Sequence, residues 1–254
     1  MKIIDAHVHL GNTPKDKAPG IKRYPADQMR EELNAVGASG AVVMAFPEDI
    51  YRSIDDPDWR NRTNEYVLAV AGQQTDVYPF YFVWRDYLLP DNLGRYAGIK
   101  WHRHAGEPGY DYNHPRCREF IREITRLKLP VLLEEEFSHT VNFIENNPEL
   151  IVIIPHIGES NGGPDKMKVF FDNPNIFFDT AITDFNALKW ALDSIGPERL
   201  IFGTDSSACR PHVDNSLPVA IRRHLQLAID DKARELIFSG NIERLLSRWR
   251  SRQV

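Results

Sequence analysis

The sequence predicts a (β/α)8 barrel, and three observations carry that reading. Apolar runs of strand length recur eight times along the chain. Amphipathic helical stretches alternate with them. The length of 254 residues matches the roughly 250 that eight such units need. No internal repeat, low-complexity tract or linker rich in Pro, Gly and Ser divides the chain, so residues 1–254 read as one domain. Periodicity alone does not close a sheet, and a doubly wound sheet is the alternative.

The strand candidates are residues 2–10, 41–46, 78–83, 97–102, 131–136, 151–157, 176–180 and 200–204, each bounded by Gly, Pro, Asn or charged residues. A first helix is expected from near Pro25 to Gly37, with Met29, Leu33 and Val36 at helical spacing. Asn113 is expected to cap a second through Phe120, Ile121, Ile124 and Leu127. Ser138 is expected to cap a third, and Thr183 a fourth carrying Leu188, Trp190, Ala191 and Leu192.

Composition bounds the function. A hydrophobic share of 42% and a charged share of 26% suit a globular chain with a core. The formal net charge of -5 gives no electrostatic reason for a nucleic-acid partner. Arg244, Arg248, Arg250 and Arg252 read as the solvated face and last turn of a final helix. Cys117 and Cys209 are too few for a disulfide framework and wrongly spaced for a zinc cage. No signal peptide is expected before the first strand, and no apolar run nears the ~20 residues of a membrane helix. The expectation is a soluble, cytoplasmic protein with a small-molecule substrate and no membrane partner. Trp59, Tyr66 and Tyr87 either form the interface of a homo-oligomer or finish the core.

The chemistry is expected at strand ends. Alternation on the first strand sends Ile4, Ala6, Val8 and Leu10 to the helices and Ile3, Asp5, His7 and His9 inward. Two imidazoles on one inward face offer two neutral nitrogen donors to a divalent metal, or are two satisfied core histidines. Lys100 and His102 share a face of the fourth strand. Leu132, Glu134 and Glu136 share one of the fifth. Val152, Ile154 and His156 share one of the sixth, and Ile201, Gly203 and Asp205 one of the eighth. An ionisable residue thus ends each of these runs, where barrel enzymes keep their sites.

These segments resemble the amidohydrolase superfamily, specifically its amidohydrolase-related branch. The resemblance rests on Asp5-Ala6-His7-Val8-His9-Leu10, Gly98-Ile99-Lys100-Trp101-His102, Pro155-His156-Ile157-Gly158, Phe202-Gly203-Thr204-Asp205 and the closing segment 238–246, in that order over nearly the whole chain. It implies a metal-dependent hydrolase in which His7 and His9 bind metal, Asp205 binds metal and shuttles a proton from activated water, and His156 polarises the substrate or takes a second metal. The family's fifth strand usually carries a histidine where this chain has Glu134. A glutamate still ligates zinc, the expected ion, and shifts preference toward harder ions such as manganese; iron is a further alternative. Glu134 otherwise pairs with Lys100 across the barrel.

Lys100, His102 and Arg210 are expected to bind a small, anionic carbonyl or ester-type substrate, with His104 and a carboxylated Lys100 as weaker options. The loops 158–164 and 206–212 are candidate lids. His139 and His224 are expected at the surface. The same frame supports nonoxidative decarboxylation, and the reading from a different class is a ligand-binding barrel without catalysis.

Overall fold

A computed structural model of the chain describes residues 1–11, 24–47, 57–103, 107, 109–206 and 214–251. All eight strands are present: β1 Ile4–Leu10, β2 Gly40–Ala45, β3 Val77–Phe82, β4 Gly98–His102, β5 Val131–Glu134, β6 Val152–Ile154, β7 Ile176–Asp179 and β8 Leu200–Ile201. They pair in parallel in chain order. Backbone bonds across the β1–β8 seam close the sheet, from Ala6 N to Phe202 O (2.9 Å), Asp205 N to His7 O (2.8 Å) and His9 N to Ser206 O (2.8 Å). The fold is the predicted (β/α)8 barrel, and the doubly wound alternative falls with that closure.

Among the described residues, helices between and after the strands include α1 Ala26–Val36, α2 Pro57–Gly72, α3 Pro115–Arg126, α4 Phe137–Asn146, α5 Phe185–Ile195, α6 Leu217–Leu225, α7 Asp231–Glu235 and α8 Asn241–Arg250. α1 ends at Gly37 as expected, in the left-handed conformation at φ 68°. The three cap expectations miss by one or two residues. Pro115 fixes the start of α3, so His114 is its cap and accepts from Arg116 N at 3.2 Å. Asp184, a charged acceptor, caps α5 through Ala187 N at 2.8 Å in place of Thr183. Ser138 lies inside α4, which Glu136 precedes. No helix among the described residues is long and apolar enough to cross a membrane.

The barrel interior is filled by Ile4, Ala6, Val42, Met44, Tyr78, Phe80, Leu132, Ile153, Phe177 and Ile201. Ile242, Leu245 and Leu246 of α8 pack against this set. Asn241, wholly buried at the head of α8, donates to Pro197 O and Leu200 O and so ties the closing helix to the start of β8. The opposite strand faces, with Val43, Ile99, Trp101, Val131, Leu133 and Phe178, pack with the helices.

On β1 and β6 the expected alternation fails, each time for a local reason. Ile4 and Asp5 pair with Gly40 and Ala41, but Val8 pairs with Val43, so Ala6 and His7 together oppose Val42. This β-bulge reverses the side-chain phase. Ile4 and Ala6 therefore fill the interior below, His7 and His9 face it above, and Asp5 lies with the outer set at the seam. There its carboxyl accepts from Thr204 Oγ1 (2.6 Å), Thr204 N (2.9 Å) and His7 N (3.2 Å). Burial raises its pKa to about 7 despite those bonds. On β6 it is Ile153 that faces inward, while Val152 and Ile154 pack with the helices. His156 reaches the interior only because the strand stops at Ile154.

Candidate active site

Seven of the eight predicted site residues meet at the C-terminal mouth of the barrel. His7, His9, Lys100, His102, Glu134, His156 and Asp205 are all buried. Arg210, with His104, Cys209 and His212, lies outside the described residues.

Each side chain is aimed by its strand end. His7 and His9 sit above the β1 bulge with ring centroids 5.2 Å apart. Gly203 makes room for His7, since a Cβ there would stand 3.1 Å from His7 Cβ. Lys100 and His102 rise from β4 beside Leu132 and Glu134 of β5. After β6, His156 and Ile157 take left-handed backbone at φ 56° and 53°, a costly conformation for a branched residue. That turn brings the His156 ring to a stack over His7 at 5.3 Å. Asp205 is left-handed too, at φ 58°.

The polar geometry divides in two. Asp205 Oδ1 lies 3.1 Å from His9 Nε2 and 3.5 Å from His7 Nε2. Glu134 Oε2 lies 2.9 Å from Lys100 Nζ and 3.5 Å from His102 Nε2, and its Oε1 lies 3.6 Å from His156 Nε2. Lys100 Nζ also stands 3.3 Å from His7 Nε2. Glu134 thus sits with Lys100, His102 and His156, not in the His7, His9 and Asp205 group.

The donor set fits a metal ion. His9 Nδ1 meets Ala45 O at 2.8 Å and His7 Nδ1 meets Asp179 Oδ2 at 2.9 Å. Both partners are acceptors, so each ring turns an Nδ1–H to its partner and leaves Nε2 to face Asp205. Two imidazole nitrogens converging on one carboxylate oxygen in a buried space are a donor set that suits a divalent cation, with a shared proton in its place when none is bound. Donor atoms of His7, His9 and Asp205 all lie within 4.8 Å of one another.

Burial, then Lys100, lowers the pKa of His7. Burial would raise Asp205, but positive charge on the imidazoles around it, His7 first, together with the His9 hydrogen bond, holds it well below the usual carboxylate range. Burial likewise pulls His156 down, yet Glu134 first, then Asp179 and Asp205, lift it to about 9. In metal-stripped protein the His156 charge therefore contributes stability that is fully present below about pH 6.5 and lost as pH rises through about 9. The thermal midpoint should decline across that window, and His156→Gln should flatten the decline; an unchanged slope in the variant would remove His156 as its source.

Several residues differ from expectation or escaped it. Glu136 is half-exposed and pairs with Arg103 at 2.9 Å. Glu135, wholly buried, accepts from Arg103 Nε and Tyr112 OH. His224 is buried, bonded to Thr180 and Ala220, with burial lowering its pKa to about 4. Tyr87 is buried in the core. The loop after β6 is anchored by Asn161, which donates to Leu133 O and Thr140 Oγ1, and of the second candidate lid only Ser206 is described. Asp179 was missed altogether. It ends an apolar strand one position past Phe178, the same signal that marked Glu134.

The Amidohydrolase family pattern matches residues 4–248. The chain belongs to the amidohydrolase family. As a member it is a metal-dependent enzyme, and the family frame accommodates hydrolases and decarboxylases alike. No curated protein matches the sequence. Solved structures share the amidohydrolase barrel at low identity. A 2,6-dihydroxybenzoate decarboxylase from Rhizobium is 15% identical with a TM-score of 0.76, over 97% of this chain and 98% of that one. A probable 2-pyrone-4,6-dicarboxylic acid hydrolase from Acinetobacter baumannii is 16% identical with a TM-score of 0.74, over 97% and 100%. An amidohydrolase from Burkholderia multivorans with bound zinc is 14% identical with a TM-score of 0.72, over 97% and 99%.

Proposed function

We propose that the protein hydrolyses a small anionic molecule at a carbonyl or ester-type bond, with a divalent ion, zinc first among candidates, held by His7, His9 and Asp205. The observation that carries this is the convergence of the two Nε2 lone pairs on Asp205 Oδ1, at 3.1 and 3.5 Å. When bound, the ion supplies Lewis-acid polarisation of a substrate oxygen and acidifies water.

The chain's own groups divide the remaining work. Asp205 offers Oδ1 to the donor set and turns Oδ2 toward His156, 4.0 Å away, so one oxygen holds while the other accepts and returns a proton. His156, kept protonated, places positive charge where an oxyanion develops. This kind of contribution is worth about 3 kcal/mol. Lys100 and His102 receive the anionic end of the substrate, and Glu134 holds both in place and offsets their charge. In this reading Glu134 orients the cations rather than ligating the ion. Burial of all these groups excludes water and strengthens each interaction.

Decarboxylation of an aromatic acid is the second reading, favoured by the fold shared with the Rhizobium decarboxylase. Metal analysis of purified protein is the first test, with about one Zn, Mn or Fe per chain expected. A protein that contains none and takes up none on addition would sink the enzyme reading in favour of a ligand-binding barrel. A panel of aromatic and pyrone carboxylates then separates the chemistries, since CO₂ release supports decarboxylation and a new carboxylate or alcohol supports hydrolysis.

A further inference from the structure

One carboxylate outside the proposed donor set touches two of the histidines that the chemistry uses, His7 and His156. Asp179, at the end of β7, is wholly buried. Its Oδ2 lies 2.9 Å from His7 Nδ1. Its Oδ1 accepts from Ala181 N at 2.9 Å and from His156 N at 3.0 Å. The His156 bond falls on the first residue of the left-handed pair His156 and Ile157, a conformation that needs an external hold to persist.

We propose that Asp179 is the positioning residue of this site. It fixes His7 as the Nδ1–H tautomer, so that Nε2 presents a lone pair to a metal, and it pins the turn that carries His156. Lys100 Nζ, 3.3 Å from His7 Nε2, acts in the same direction from the other side of the ring, at a longer distance than the 2.9 Å contact to Asp179. The consequence for metal affinity rests on the metal-dependent reading above; the tautomer assignment does not. A carboxylate behind a ligating imidazole orients the ring and raises its basicity, and losing such a partner weakens metal binding about 10- to 100-fold.

Asp179→Asn separates the two tasks. The amide oxygen goes on accepting from His156 and Ala181, while the amide nitrogen now donates to His7 Nδ1 and drives the ring proton onto Nε2. In metal-free protein, ¹⁵N NMR should report His7 as Nδ1–H in the wild type and Nε2–H in Asp179→Asn. Zinc titrated against a chromophoric chelator should bind the variant about 10- to 100-fold more weakly, with a thermal midpoint close to wild type. Asp179→Ala should lose the turn as well and unfold at lower temperature. A wild-type His7 carrying its proton on Nε2 would overturn the proposal with no variant needed, as would unchanged zinc affinity in a folded Asp179→Asn protein. Wild-type protein that binds no zinc would instead defeat the metal reading, leaving the NMR result to decide the role of Asp179.

Discussion

Asp205→Asn should lower kcat by about three orders of magnitude, the middle of the range for a lost proton carrier, while leaving the fold and much of the metal content intact. Asparagine is close in shape and tolerates the left-handed backbone at φ 58°, so the bond from the residue 205 amide to His7 O survives. Its amide oxygen still faces His7 and His9. What it lacks is a second basic oxygen facing His156, and nothing else in the His7, His9 and Asp205 group can take that role. Steady-state kinetics with metal analysis of the same preparation checks this. A variant retaining a tenth or more of the wild-type kcat would take Asp205 out of the proton's path.

The second large effect is on stability. Lys100 is wholly buried and Glu134 nearly so, with 2.9 Å between Nζ and Oε2. Removing one partner of a buried pair leaves an uncompensated charge, at a cost of about 3–5 kcal/mol. Lys100→Met should therefore lower the midpoint of metal-stripped protein by roughly 10 °C, given about 2–4 °C per kcal/mol for a chain of this size. His102 and His156 sit 3.5 and 3.6 Å from Glu134 and soften the loss without replacing it. Adding Glu134→Gln should restore most of the midpoint, because the stranded charge goes with it. Thermal unfolding of the two singles and the double closes the cycle. If the double unfolds no higher than Lys100→Met alone, the stranded charge is not what destabilises it.

The barrel was legible because strands buried on both faces read as short apolar runs, and eight of them fill the chain. The site was legible where a strand keeps its phase to the end, as β4 does with Lys100 and His102 and β5 with Glu134. Where the backbone departs from strand geometry, alternation misled. Nothing in the composition of β1 announces an extra residue at Ala6 and His7. His156 arrives by a left-handed turn, which neither it nor Ile157 favours, and the bond that holds that turn comes from Asp179 at a distance of 23 positions along the chain. Glu134, Glu135 and Glu136 are chemically alike in sequence. Only the end of β5 after Glu134 makes the first face the site, the second grip Arg103 and the third reach solvent.

The bulge in β1 also bears on how this chain should be aligned with distant relatives. In a regular strand, residues three apart face opposite ways, yet Ile4 and His7 face the same way here. A relative with an unbulged first strand would reach the same arrangement with a spacing of two. Matching the two chains correctly then demands a one-residue gap inside a buried strand, where gap penalties are normally harshest. An ungapped alignment would equate either the interior residues Ile4 and Ala6 or the histidine pair, never both.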